Sequence, residues 1–126
     1  MKDNILLCGN PNVGKSSIFN ELTNSNEHTG NWTGKTVELA KKQIKNTNFT
    51  LIDLPGIYSL SSLSEEENIT KNTLLFDNYE KIIYVMDSSN IEKNMNLLLQ
   101  VTQINKNIIL CLNMTDELER KGIEIK

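Results

Sequence analysis

The chain has 126 residues and a formal net charge of −3, with its lysines scattered rather than gathered on one segment. That length fits a single domain with one core, and the acidic balance argues against a nucleic-acid binder, which usually carries a basic patch or an isoelectric point above about 9. No apolar run approaches the roughly 18 residues a membrane helix needs, and MKDN enters a strand-like run with no signal peptide, so a soluble cytoplasmic chain is expected.

NILLC (4–8) predicts a short buried strand, and residues 16–22 the helix that follows it. Between them, Gly9-Asn10-Pro11-Asn12-Val13-Gly14-Lys15-Ser16 satisfies G-x-x-x-x-G-K-[ST] in full. Glycines let backbone N–H groups turn inward around phosphate oxygens, and the following helix adds its positive N-terminus. Lys15 would reach the β- and γ-phosphates, and the Ser16 hydroxyl would join a magnesium shell. The candidate nucleotide-binding set here runs from Gly9 through Ser17.

Residues 23–35, TNSNEHTGNWTGK, are polar and glycine-bearing, which reads as a long loop. TVELAKKQI predicts a strand exposed on one side, with Val37 and Leu39 on one face. FTLIDLPG predicts a strand running into a Pro-Gly turn. It delivers Asp53 where a phosphate loop needs a second carboxylate to orient magnesium, through a water. Alone, Asp53 would equally serve to start a turn. Leu54, Pro55 and Gly56 follow it. Gly56 can bring a bare N–H to a γ-phosphate and lets the loop move when that phosphate leaves.

Ser64 with Glu67 fits a capping box before a helix reaching about Phe76. KIIYVMD (81–87) predicts a buried strand. Ser89 with Glu92 offers a second capping box, whose helix would place Ile91, Met95, Leu98 and Leu99 on one face. NIILCLN (107–113) is the last clear strand, and DELERKG predicts a short helix ending near Gly122. Strands alternating with helices predict an α/β fold, a mostly parallel sheet with helices on both faces. Ligands of such sheets bind beyond the carboxyl ends of the strands, where these motifs lie. Cys8 and Cys111 sit in apolar runs without a C-x-x-C spacing; they read as buried small hydrophobes in a reducing compartment.

LNMTD (112–116) bears on the base. A carboxylate can accept from both N1–H and the exocyclic amine of guanine, a donor pair adenine lacks. By itself Asp116 could cap a helix, with Glu119 completing a box. Placed after the phosphate loop and D-L-P-G, the run Asn113-Met114-Thr115-Asp116 reads as a guanine reader, and the nucleotide as GTP rather than ATP.

In this order and spacing the three motifs resemble the Ras-like, translation-factor-related GTPases. GNPNVGKSSIFNELT, GNWTGKTVE, DLPGIYSLSS, MDSSNIEKN and LNMTD together resemble the N-terminal G domain of the bacterial ferrous iron transport protein B (FeoB) family, over almost the whole chain. G-N-W-x-G and IYSLS are the more specific marks. The resemblance implies a Ras-like P-loop three-layer sandwich, mostly parallel with one antiparallel edge strand and lacking the last strand and helix. It implies that Thr36 joins Ser16 on magnesium and touches the γ-phosphate, and that the loop bearing Gly34 and Lys35 wraps the nucleotide. Lys35 departs from the small or apolar residue expected before Thr36. The resemblance further implies that Asn12, with the backbone carbonyls of Gly30 and Trp32, holds a potassium ion against the phosphates, where it can offset developing charge. Lys15, Thr36, Asn12 and Gly56 are then the candidate catalytic residues.

Ile57 stands where many GTPases keep a water-orienting glutamine, which implies slow turnover, on the order of 10⁻⁴ to 10⁻² s⁻¹ by comparison with Ras. The function so implied is a GTP-binding, slowly hydrolysing switch that regulates ferrous iron uptake across the bacterial inner membrane. Residues 1–126 would be a partial G domain facing the cytoplasm, with the helical spacer and the transmembrane permease elsewhere in a longer protein. Partners would be a guanine nucleotide and that permease, with no nucleic acid and no iron site of its own. His28 stands alone, and Glu65, Glu66 and Glu67 suit a helix N-terminus. A ribosome- or RNA-associated GTPase shares the same loops; the acidic balance and G-N-W-T-G count against it.

Overall fold

Odd and even residues of the first strand part company, and the fold is built on that division. The computed structural model describes residues 3–24, 39–61, 63–89 and 91–113. Strand β1 (Asn4–Gly9) lies at the centre of a five-stranded sheet ordered β2-β3-β1-β4-β5, with β2 (Ala40–Gln43), β3 (Thr50–Asp53), β4 (Lys81–Asp87) and β5 (Ile108–Asn113). β1 runs parallel to β3, with Leu7 beside Asp53, and parallel to β4, with Gly9 beside Val85. β4 and β5 are parallel as well, and Asp87 lies level with Asn113. β2 pairs antiparallel with β3 at the edge.

Side chains alternate across a strand, so Ile5 and Leu7 face one side of the sheet and Leu6 and Cys8 the other. Ile5 and Leu7 join Leu51, Val85 and Phe19 beneath helix α1 (Lys15–Thr23). Leu6 and Cys8 join Ile52, Ile82, Tyr84 and Met86 beneath α2 (Glu65–Phe76) and α3 (Ile91–Ile104). Both layers and the single antiparallel edge agree with the expected architecture. Residues 36–38 of the expected second strand lie outside the described residues, as does the helix expected in DELERKG.

Helix ends show where local chemistry won. Ser64 caps α2 by accepting the Glu67 N–H at 3.1 Å. The return bond of the capping box is displaced by one residue: the Glu67 carboxylate accepts the Leu63 N–H at 2.8 Å and the Ser61 hydroxyl at 2.9 Å. The second expected box is not seen among the described residues. Ser89 donates both its N–H (2.9 Å) and its hydroxyl (2.6 Å) to Asp87 Oδ1, and α3 starts two residues later at Ile91. A charged acceptor two residues back competes successfully for a serine at a helix entrance.

The buried face of α3 agrees with the expected one at Leu98 and at Met95, which packs partly buried against the core, and differs at its flanks. Asn94, Leu97, Leu98 and Val101 are buried, whereas Ile91 and Leu99 are 46% and 55% exposed. Three consecutive leucines, 97–99, permit two phases of the helical stripe; Val101 and Ile104 continue the one that packs. Cys8 is buried, as expected, and Cys111 is only half-buried. Among the described residues no helix is long and apolar enough to cross a membrane.

Candidate functional site

At the end of β1 the chain leaves the sheet so close to β4 that a Cβ on Gly9 would lie 2.6 Å from the Val85 carbonyl oxygen. The loop that follows alternates its handedness, with Asn12 at φ 64° and Gly14 at φ 89°. Such alternation turns successive backbone N–H groups toward one concave centre. The positive φ favours glycine at Gly14, and a Cβ there would also displace the Asn113 side-chain amide. The result is a pocket of about 190 Å³ lined by Asn10, Pro11, Asn12, Gly14, Lys15, Ser16, Ser17 and Gly56.

Lys15, the first residue of α1, is buried beside this pocket. Its ammonium donates to Asp53 Oδ1 and to the Leu54 carbonyl, both at 2.7 Å. Asp53 is fully buried at the end of β3, where it lies level with Leu7. Burial of an ionic pair demands this quality of geometry, since both charges have left water. The next turn is held by the Leu54 N–H on the Leu7 carbonyl at 3.0 Å. Leu54 and Val13 turn their side chains into the two cores, so each offers the site a backbone carbonyl. The Val13 carbonyl accepts Asn113 Nδ2 at 2.9 Å.

Gly56 closes over the phosphate loop, and a Cβ on it would come 3.0 Å from Pro11 Cα. Ile57 follows with its side chain in the core and its N–H on the Gly9 carbonyl at 3.4 Å. No side chain at position 57 therefore faces the pocket. Asn10 is buried and donates Nδ2 to the Lys93 carbonyl at 3.1 Å, binding the loop to α3. Burial pushes the neighbouring Cys8 thiol up to about 12, with Lys15 opposing, so it stays protonated and unreactive.

The structure thus brings together Gly9 through Ser17, Asp53 through Gly56, and Asn113. Gly30, Trp32, Gly34, Lys35, Thr36, Met114 and Asp116 lie outside the described residues. Asn113, read from sequence as part of the base reader, ties β5 to the phosphate loop through its side chain. Its own carbonyl accepts the Ser88 N–H and hydroxyl, at 3.1 and 2.9 Å. Sequence reasoning gave Ser88 no role. It also missed Tyr58, Asp87, Lys93 and Asn94, which line a smaller pocket of about 130 Å³ against Asn10–Val13. The signals available were the runs IYSLS, which holds Tyr58, and MDSSNIEKN, which holds Asp87, Lys93 and Asn94; both marked a family without assigning its residues.

The Ser16 hydroxyl and the Asp53 carboxylate are hard oxygen donors beside a phosphate-type loop. That donor chemistry fits magnesium, which is bound by one or two protein oxygens together with substrate phosphates.

A family profile described as ferrous iron transport protein B matches residues 3–126. The chain belongs to the ferrous iron transport protein B family. It is similar to the Fe(2+) transporter FeoB of Staphylococcus aureus (strain COL), 44% identical over 123 residues that cover 98% of this chain and 18% of that protein. Among solved structures it resembles NFeoB from S. thermophilus bound to GDP·AlF4⁻ and K⁺, with a TM-score of 0.84 at 39% identity, covering 100% of this chain and 49% of that one. It also resembles the cytosolic domain of L. pneumophila FeoB, with a TM-score of 0.78 at 39% identity, covering 97% and 49% of the two chains. The five-stranded sheet with one antiparallel pair is therefore the G-domain fold of the FeoB family.

Proposed function

We propose that this chain is the GTP-binding and GTP-hydrolysing part of a longer FeoB-family ferrous iron transporter, a cytoplasm-facing switch beside the transmembrane permease. The observation that carries this reading is Lys15, buried and bonded at 2.7 Å to Asp53 and to the Leu54 carbonyl, at the edge of the glycine-walled pocket. Support for the nucleotide comes from the relative bound to GDP·AlF4⁻ and K⁺. Support for a longer parent comes from the 18% of the S. aureus transporter that the chain spans.

In this reading the backbone N–H groups of residues 10–16 receive the phosphates, and the helix N-terminus adds favourable potential. An ammonium has three donors; two of Lys15's go to Asp53 and Leu54, and a β- or γ-oxygen takes the third. Magnesium, when bound, neutralises charge on the β- and γ-phosphates. Ser16 and Thr36 would hold it directly, and Asp53 through a water. Asn12, with the carbonyls of Gly30 and Trp32, would hold potassium against the same phosphates. Asp116 would accept from guanine, with Asn113 and Met114 beside it. Water attacks the γ-phosphorus, the bond to the β–γ bridging oxygen breaks, and GDP and inorganic phosphate leave. With Ile57 in the core, no side chain there orients the water. Intrinsic turnover should therefore sit in the range of unassisted GTPases, on the order of 10⁻⁴ to 10⁻² s⁻¹.

The test is GTP hydrolysis in potassium against sodium at equal ionic strength, with nucleotide binding followed in parallel and Asn12→Ala as control. Faster turnover in potassium, lost in the variant, is expected. Equal rates with intact binding would remove Asn12 from the reaction. Failure to bind GTP in either salt would overturn the GTPase reading.

A further inference from the structure

Lys93, Asn96 and Gln100 of α3 stand at i, i+3 and i+7, which makes them one row along the helix. All three reach the segment that follows Gly56. The Lys93 ammonium lies 5.5 Å from the centroid of the Tyr58 ring. Asn96 Nδ2 donates to the Tyr58 carbonyl at 3.4 Å, and Gln100 Oε1 accepts the Leu60 N–H at 2.8 Å. The segment belongs to no helix or strand, so its backbone groups need partners from elsewhere. At its start Gly56 walls the phosphate pocket, tight against Pro11.

The same helix grips the opposite wall. The Lys93 carbonyl accepts Asn10 Nδ2 at 3.1 Å, from within the phosphate loop. α3 thus holds both the loop and the Gly56 segment. Of the two hydrogen bonds, that of Gln100 is the shorter and is half-buried. The Lys93–Tyr58 pair, with Tyr58 49% exposed, contributes less.

Resting on the nucleotide-binding reading above, we propose that Gln100, seconded by Asn96 and Lys93, is a positioning residue that keeps Gly56 closed on the phosphate pocket. It acts through the Leu60 backbone and touches no phosphate. Gly56 addresses the γ-phosphate, so loosening the segment weakens a triphosphate more than a diphosphate. One such hydrogen bond is worth about fivefold in an equilibrium.

The test titrates GMPPNP and GDP against the parent chain, Gln100→Leu and Gln100→Glu, with thermal melting alongside. Gln100→Leu should weaken GMPPNP about fivefold relative to GDP. Gln100→Glu keeps an acceptor for the Leu60 N–H and should restore the parent ratio. An unchanged ratio, equal weakening of both nucleotides, or a Gln100→Glu variant as impaired as Gln100→Leu would overturn the proposal. Should Gln100→Leu fail to fold, Asn96→Ala at an exposed position should shift the ratio in the same direction by less, and no shift would be decisive against it. A parent chain that binds neither nucleotide overturns the nucleotide reading itself. A parent that binds both, with an unshifted ratio in the variants, overturns only the role of α3.

Discussion

Two oxygens at 2.7 Å, one from Asp53 and one from Leu54, keep the Lys15 ammonium inside the domain. Lys15→Ala leaves the buried Asp53 carboxylate without its cation, and the expected loss is about 3–5 kcal/mol by denaturant unfolding. A loss under about 1 kcal/mol, typical of an exposed pair, would contradict the geometry. Asn113→Ala removes the amide that holds the Val13 carbonyl. It should cost about 1 kcal/mol in stability and weaken GTP and GDP alike, because the loop it braces is common to both. The loop itself was legible in the sequence, since steric demands at Gly9 and Gly14 leave few residues that fit. The Asn113 brace was not: it joins residues 100 positions apart, and nothing local announces it.

At the scale of elements, the entrance to α2 is built around Glu67. The Leu63 N–H, and after it the Ser61 hydroxyl, hold the Glu67 carboxyl below its ordinary value of 4.5. A depressed carboxylate pKa contributes stability that is complete above the ordinary value and is lost as pH falls through the folded one. The Leu63 amide resonance should accordingly titrate with a midpoint below 4.5, and should not titrate in Glu67→Gln. A midpoint at or above the ordinary value would show that the contact does not persist in solution. Further along α2, Thr70 is fully buried, and among the described residues its hydroxyl has no hydrogen-bond partner. Thr70→Val should therefore be neutral or stabilise by about 1 kcal/mol in thermal unfolding, because it removes an unpaired buried polar group at similar volume. A clear loss would mean the hydroxyl is satisfied. Element type and order followed from periodicity, but the facing of α3 did so only in part. The leucine run 97–99 is compatible with two stripes, and only packing against Tyr84 and Met86 selects between them.

Among the described residues, the sheet has two unlike edges. β2 presents exposed Lys41 and Lys42, charges that discourage pairing with another chain. β5 presents Ile109, Leu110 and Leu112 at 48%, 53% and 46% exposure. Leu110→Lys should reduce light scattering at high protein concentration while changing unfolding free energy by no more than about 0.5 kcal/mol; unchanged scattering would clear this edge as a cause of association. The position of the site was legible at this scale too, because parallel strands β1, β3, β4 and β5 all deliver their carboxyl ends to one rim. The ties from α3 to that rim could not be read, since Lys93, Asn96 and Gln100 look like an ordinary solvated helix face. The most direct measurement is displacement of a fluorescent GTP analogue from the chain, with magnesium present, by GTP, GDP or ATP. GTP and GDP should displace it and ATP at equal concentration should not. Equal displacement by ATP, or no binding of the analogue at all, would contradict the assignment of this chain as a guanine-nucleotide domain.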